Sequence, residues 1–216
     1  MPTALITGAS GGLGSAIASA LAPTHTLLLA GRPSKRLSEL AARVGGTIVE
    51  IDLTDSKTVA AGELDVLVHN AGVGFPDHLA SSRIHDWRTT FDVNVIGAVA
   101  LTQAMLPALR RAKGHVIFVN SGAGLHVLEG MASYSASKFA LRAFADSLRL
   151  EEPLLRVTSV HPGRIASDMQ RKLVEFEGGK YNAKHYLRPE TVARAIADIV
   201  GTPPDGHVYS VVIRQH

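Results

Sequence analysis

Seven short runs of β-branched and leucine-rich residues alternate along this chain with longer stretches of helical periodicity, and few folds can use that alternation. The runs are Thr3–Thr7, Thr26–Ala30, Thr47–Ile51, Asp65–His69, His115–Asn120, Arg156–Val160 and Val208–Ile213. Their nearly unbroken apolar character suits parallel strands, which crossover helices cover on both faces. Helical patterns occupy Gly12–Ala22, Lys35–Val44, Ile84–Ala112, Ala132–Leu150 and Pro189–Val200. Pro189 falls in the first helical turn, where its missing N–H costs nothing. Only Leu53 to Leu64 separate the third and fourth runs, which leaves room for a turn or two of helix. The pattern predicts one doubly wound α/β domain over residues 1–216, with ligands beyond the carboxyl ends of its strands.

Composition removes several functions. The chain has 216 residues, 46% apolar and 19% charged, an ordinary globular balance. The absence of cysteine excludes disulfides, thiolate metal sites and cysteine nucleophiles. Ten histidines are present, but none forms a His-x-x-x-His or Glu-flanked pair, so scattered, partly exposed histidines and no metal site are expected. A net charge of +3 without a basic stripe, and only 5% aromatic residues, argue against a nucleic-acid partner. No window approaches 18 uninterrupted apolar residues, and a strand-like run starts at Thr3. The expectation is a cytoplasmic protein without signal peptide or membrane span.

The first run leads into Thr-Gly-Ala-Ser-Gly-Gly-Leu-Gly (Thr7–Gly14) and then a helix. Glycines here let the backbone bend tightly and let a pyrophosphate approach free N–H groups at the helix N-terminus. The spacing Gly8, Gly12, Gly14 departs from the GxGxxG fingerprint, and a plain tight turn is the alternative. The second run ends in Ala30-Gly31-Arg32. An acidic residue at this point would hold a ribose 2′-hydroxyl, as NAD sites require. Gly31 removes it, and Arg32 offers a planar cationic fork for a 2′-phosphate, with Ser10 as a further donor. These residues favour NADP(H), unless Arg32 is simply solvated.

Tyr134 and Lys138 stand four apart in a helical pattern and share one face. Reduction of a carbonyl needs a proton donor at oxygen, and an ammonium nearby would lower the pKa of a phenol from its usual value of about 10. Ser121 lies at the carboxyl end of the fifth run, where it would hold the same oxygen; capping of the Gly122–Gly124 turn is the alternative.

Taken together, Thr7–Gly14, Asp52-Leu53, Asn70-Ala71-Gly72, Asn94, Ser121, Tyr134-Ser-Ala-Ser-Lys138 and Pro162-Gly163 resemble the short-chain dehydrogenase/reductase family over nearly the whole chain. The resemblance implies a Rossmann-like sheet of seven parallel strands in the order 3-2-1-4-5-6-7. It implies that Tyr134 is the general acid/base, that Lys138 lowers its pKa and binds the nicotinamide ribose, and that Ser121 polarises the substrate oxygen. Asn94 would hold a water linking Lys138 to solvent. Cofactor contacts would come from Gly8, Ser10, Gly11, Gly12, Leu13, Gly14 and Arg32, with Asp52 and Leu53 at the adenine edge and Asn70, Ala71 and Gly72 along its ribose. Pro162, Gly163, Ile165 and Ser167 would cradle the carboxamide. His69 stands where asparagine is often seen, and the third crossover and the Glu151–Leu155 connection are truncated.

The expected activity is hydride transfer between NADP(H) and a small carbonyl or alcohol. A non-catalytic NADP(H)-binding sensor is the alternative; a sugar-nucleotide epimerase or dehydratase would need more chain after Gly163. Wall candidates at Gly122–Val127, Met131, Arg164–Met169 and Val73–Leu79 show no clear anion clamp. The polar segment Asp168–Leu187, with Gly178-Gly179, reads as a lid or a solvated loop. Surplus apolar positions on Ile84–Ala112 (Val95, Ala98, Val99, Leu101, Ala104, Met105, Leu109) and Ala132–Leu150 (Phe139, Leu141, Ala143, Phe144, Leu148, Leu150) predict a homodimer or tetramer, unless Asp168–Leu187 covers them.

Overall fold

The computed structural model describes residues 1–55 and 62–216. Seven strands, β1 (Thr3–Thr7), β2 (Thr26–Gly31), β3 (Thr47–Glu50), β4 (Val66–His69), β5 (His115–Val119), β6 (Arg156–Pro162) and β7 (Ser210–Ile213), form one sheet in the order β3-β2-β1-β4-β5-β6-β7. Every pairing is parallel. The chain starts at the centre, winds outward to β3 and returns to β4 beside β1. That reversal opens a crevice at the carboxyl ends of β1 and β4.

The helices are α1 (Gly12–Leu21), α2 (Lys35–Val44), α3 (Ile84–Phe91), α4 (Gly97–Ala112), α5 (Ala132–Glu151), α6 (Asp168–Phe176) and α7 (Pro189–Val200). On one face, Ile17, Leu21, Leu37, Leu40, Val192 and Ile196 of α1, α2 and α7 pack on Ile6, Leu29 and Val68. On the other, Leu101, Met105, Leu109, Leu141 and Leu148 of α4 and α5 pack on Leu5, Leu67 and Phe118. Each fully buried leucine or phenylalanine is worth about 1.5–3 kcal/mol, so two such layers can hold the sheet from both sides. Burial on both faces holds for the inner strands only. At the β3 edge Ile48 is 41% exposed, and at the β7 edge Val212 is 49% exposed.

Two features differ from the sequence reading. Ile84–Ala112 is broken by a π-helical turn at Asp92–Ile96. By length and composition alone this segment is apolar enough to cross a membrane, but Ala98, Leu101, Met105 and Leu109 spend that character on the sheet. The segment Asp168–Leu187 is neither a solvated loop nor wholly irregular. Ser167 caps α6 by accepting from the Gln170 N–H at 3.2 Å, Leu173 and Val174 are buried, and Gly178 at φ +71° stops the helix. Phe176 at its end packs beside His78 and Gly130, so α6 does not cover the surplus apolar residues of α4 and α5, and Phe139 and Leu150 remain exposed. The short helix expected between Leu53 and Leu64 falls on residues 56–61, which lie outside the described ones.

The histidines also differ from expectation, since His69, His115 and His161 lie buried in the sheet. His69 stacks on Phe118 with ring centroids 4.9 Å apart, and its Nε2 meets the Thr102 hydroxyl at 2.8 Å. His115 meets the Thr158 hydroxyl at 2.8 Å. Burial pushes both imidazoles down to about 3. In the unfolded chain a histidine titrates near 6.5, so on acidification the unfolded state takes up protons first and stability falls between pH 6.5 and 3. By pH 5 each residue costs about 2 kcal/mol. Urea unfolding at pH 7.5 and pH 5 should show this loss, and His69→Gln should remove its own share. A variant with the unmodified pH dependence would count against the assignment.

Candidate active site

A cleft of about 1320 Å³ opens at the carboxyl ends of β1, β2, β4, β5 and β6, and every site residue anticipated from the sequence lines it except Asn94. Its floor is the turn after β1. Gly8 has φ +63°, and a Cβ there would stand 2.8 Å from the Ala71 Cα. A Cβ on Gly14 would collide with the Gly8 carbonyl oxygen. These two glycines are demanded by the chain itself. Gly12 is not: the nearest atom to a Cβ there is Pro189 Cγ at 4.0 Å, so the space beside it is open. The N-terminus of α1 has no side-chain cap and no acidic residue in its first turn. Its N–H groups and dipole are thus left for an anion, which is more than a plain tight turn provides.

Thr7 fixes this turn against β4. Its hydroxyl donates to the Val68 carbonyl (3.2 Å) and accepts from the Asn70 and Ala71 N–H groups, each at 3.0 Å. The Asn70 amide donates to the Thr7 and Gly8 carbonyls at 3.0 and 3.2 Å. At the far end of the cleft, a Cβ on Gly31 would meet only Leu37 Cδ2 at 3.8 Å, an ordinary contact, so packing does not require glycine there. Arg32 beside it is exposed and lines the cleft. Asp52 accepts from the Thr54 hydroxyl (2.7 Å) and N–H (2.9 Å), and these bonds, with a smaller contribution from Arg32, hold its carboxyl below the usual range.

The other end of the cleft holds Ser121, Tyr134 and Lys138. Tyr134 and Lys138 occupy successive turns of α5, with the Lys138 Nζ 5.6 Å from the phenol ring centroid. The ammonium donates to the Val119 carbonyl at 3.0 Å, and burial lowers its pKa to about 8. Burial raises the Tyr134 pKa, and the Ser121 hydroxyl pulls it the other way. The expected lowering by Lys138 is not what sets the phenol here, because that ammonium is turned to Val119. Ser121 does cap the turn after β5, accepting from the Ala123 N–H at 3.0 Å. Because the oxygen serves as acceptor in the cap, the hydroxyl proton is left to point toward Tyr134 and the cleft. Behind it, the neutral His161 donates from Nδ1 to the Ser121 carbonyl at 3.1 Å.

Asn94 sits just outside the cleft wall in the π-helical turn, 1% exposed. Its Oδ1 accepts from the Val73 N–H (2.8 Å), and its Nδ2 donates to the Val73 carbonyl and the Ser137 hydroxyl, both at 2.9 Å. A Cβ on Gly72 would lie 3.3 Å from Asn94 Oδ1 and 3.6 Å from Lys138 Nζ, so the two side chains converge on the same piece of backbone. Pro162 at the end of β6, then Gly163, Ile165 and Ser167, run along the cleft, with the Gly163 N–H donating to the Ile213 carbonyl at 2.7 Å. Other lining residues were not legible beforehand, among them Asn120, Gln170, Leu173 and Arg214. Asn120 has an amide with no hydrogen-bond partner among the described residues, Gln170 and Leu173 come from the unanticipated α6, and Arg214 arrives after β7. Only Asn120 had a sequence cue, its place beside Ser121.

With this geometry in place, comparison with known proteins is informative. A family model described as short chain dehydrogenase matches residues 2–178. The chain is 32% identical to dehydrogenase/reductase SDR family member 7B of Mus musculus, across 90% of this chain and 68% of that protein. Among solved structures, the alcohol dehydrogenase of the archaeon Thermococcus sibiricus complexed with 5-hydroxy-NADP superposes with a TM-score of 0.89 at 26% identity, covering 99% of this chain and 96% of its own. The closed form of a serine dehydrogenase complexed with NADP⁺ gives 0.84 at 26% identity, covering 99% and 94%. A match over most of the chain, on the sheet order and nucleotide-type cleft described above, settles the family: this chain belongs to the short chain dehydrogenases, oxidoreductases of Rossmann-like fold.

Proposed function

We propose that the protein transfers hydride between NADP(H) and the carbonyl or secondary alcohol carbon of a small molecule, with Tyr134 as general acid/base. The observation that carries this reading is the meeting of Ser121, Tyr134 and Lys138 at one end of a cleft whose other end is a glycine turn with room for a pyrophosphate. The uncapped α1 and the space at Gly12 fit the pyrophosphate, Asp52, Leu53 and Asn70–Gly72 fit the adenosine, and Pro162, Gly163, Ile165 and Ser167 fit the nicotinamide end. Relatives of the same fold carry NADP-type ligands.

When bound, the reduced nicotinamide supplies the hydride. The chain's part is to hold and protonate the carbonyl. Ser121 and Tyr134 donate to its oxygen, and as charge develops there the phenol releases its proton. The raised pKa of Tyr134 keeps that proton in place beforehand. Lys138, with an ammonium held in a dry setting, stabilises the phenolate left behind and binds the nicotinamide ribose. A water beside Lys138 and Asn94 completes the path to solvent. Tyr134→Phe removes one hydroxyl, so NADPH affinity should persist while turnover drops roughly 10²–10⁴-fold. More than a tenth of the turnover surviving would mean another group donates.

The NADP(H) choice rests on Gly31 and Arg32. Arg32→Ala should weaken NADPH binding by about 1.5–3 kcal/mol and leave NADH little changed. Equal affinity of the unmodified protein for the two cofactors, measured by titration, would exclude the preference.

We further propose a cytoplasmic homo-oligomer, a dimer or tetramer built across α4 and α5. Ile96 just before α4, and Phe139 and Leu150 on α5, are 58%, 40% and 84% exposed, and Val99 of α4 and Phe144 of α5 are half-buried, apolar surface that an isologous contact would cover. Sedimentation equilibrium at micromolar concentration should give a multiple of 22.9 kDa, and a clean single-chain mass would rule the oligomer out.

A further inference from the structure

The substrate end of the cleft contains a guanidinium without a partner among the described residues. Arg214, exposed and following β7, reaches back across Gly163 and lies over Gly122, the residue next to Ser121. A Cβ on Gly122 would collide with Arg214 Nη1 and stand 3.2 Å from Cζ and 3.3 Å from Nη2. Only glycine at 122 lets the fork settle this close to the reactive serine. Among the described residues, no hydrogen bond or ion pair involves Arg214.

At this end of the cleft the other two cations already have partners. Arg164 is paired with Glu177 at 2.6 Å and lies over the Tyr186 ring, and Lys138 donates to Val119. The carboxylates lining the cleft are Asp52, bonded to Thr54 beyond β3, and Asp168, paired with Arg36 of α2 at 3.3 Å. Neither meets Arg214. A planar fork of donors thus lines the cleft beside Gly122 with no acid among the described residues to satisfy it, and the group that fits such a fork is a carboxylate, held by two parallel charged hydrogen bonds.

We propose that Arg214 anchors a carboxylate on the substrate, so that the enzyme interconverts short oxo acids and hydroxy acids. This rests on the oxidoreductase reading above and names its substrate class. In the reducing direction the oxo acid's carbonyl carbon takes the hydride of NADPH, the C–O π bond breaks, and the oxygen takes the Tyr134 proton. The products are the hydroxy acid and NADP⁺, and the anchored carboxylate keeps its charge throughout. The wall segments read from the sequence contain no such anchor because β7 brings Arg214 in from a distant part of the chain.

Two measurements test this separately from catalysis. Calorimetric titration of the protein–NADP⁺ complex with butanoate and with butanamide should show the carboxylate binding roughly tenfold to a hundredfold tighter, the range for hydrogen bonds to a charged group. Arg214→Gln should erase that ratio and Arg214→Lys should restore part of it. Arg214 has no partner to lose among the described residues, so folding is not at risk. Turnover of short 2-oxo and 3-oxo acids against their methyl esters, with NADPH, should show the same preference and its loss in Arg214→Gln through KM. Equal binding of butanoate and butanamide, or a ratio that survives Arg214→Gln, overturns the anchor. If the binding ratio depends on Arg214 but neither acids nor esters are reduced, the anchor stands and the oxidoreductase reading falls. If esters are reduced as well as acids and Arg214→Gln changes neither, the reading stands and the anchor falls.

Discussion

The site depends first on how closely the turn after β1 approaches the end of β4. Gly8 lies against Ala71, Gly14 lies under the Gly8 carbonyl, and the Thr7 and Asn70 side chains bond across the seam. The parallel pairing of Ile6 with Val68 sets these two strand ends level, and no side chain could stand between them. A buried hydroxyl left unbonded would cost about 1–3 kcal/mol, so Thr7, satisfied as donor and acceptor, locks the register rather than merely tolerating it. Once the turn is fixed, the α1 N-terminus can point only into the crevice.

That constraint explains why so much was legible in the sequence. Tight backbone approach demands glycine, and parallel strands buried on both faces demand unbroken apolar runs. Both leave local marks, so strands β1 to β7 and the Thr7–Gly14 turn could be placed within a residue or two of their ends. What was not legible has equally physical causes. The α6 helix is short and polar on most of its surface, and Gly178 marked its stop rather than a hinge. The π-helical turn adds no residue type that an α-helix would lack. The buried histidines depend on hydroxyl partners, Thr102 and Thr158, that are distant in sequence. Arg214 acquires its meaning only when β7 pairs with β6 and brings it over Gly122.

The electrostatics at the reactive end follow from burial. A lysine that is 3% exposed keeps a charge only if it is bonded, and Lys138 has the Val119 carbonyl at the end of β5. The same dry setting favours the neutral form of Tyr134. The two groups therefore start from opposite sides of the charge ledger. The ammonium gains from any anion nearby, and the buried phenol holds its proton. Ser121, whose oxygen accepts from the Ala123 N–H, meets the Tyr134 phenol at the same point.

Asn94 shows why the helix before β5 is broken where it is. A regular α-helix from Ile84 to Ala112 would bond every interior carbonyl and would have no reason to widen in the middle. The π-helical turn shifts the winding at Asp92–Ile96, and Asn94 there reaches both the N–H and the carbonyl of Val73. Its remaining donor goes to Ser137, whose hydroxyl donates to the Tyr134 carbonyl at 2.7 Å. The loop after β4, the widened turn and the first turns of α5 are thus joined through one buried amide. Such π turns are rare in ordinary helices and frequent at functional sites, because the irregular winding must be offset by bonds made elsewhere. Here those bonds reach Tyr134, so its position is set from behind by Asn94 through Ser137 and from in front by Ser121.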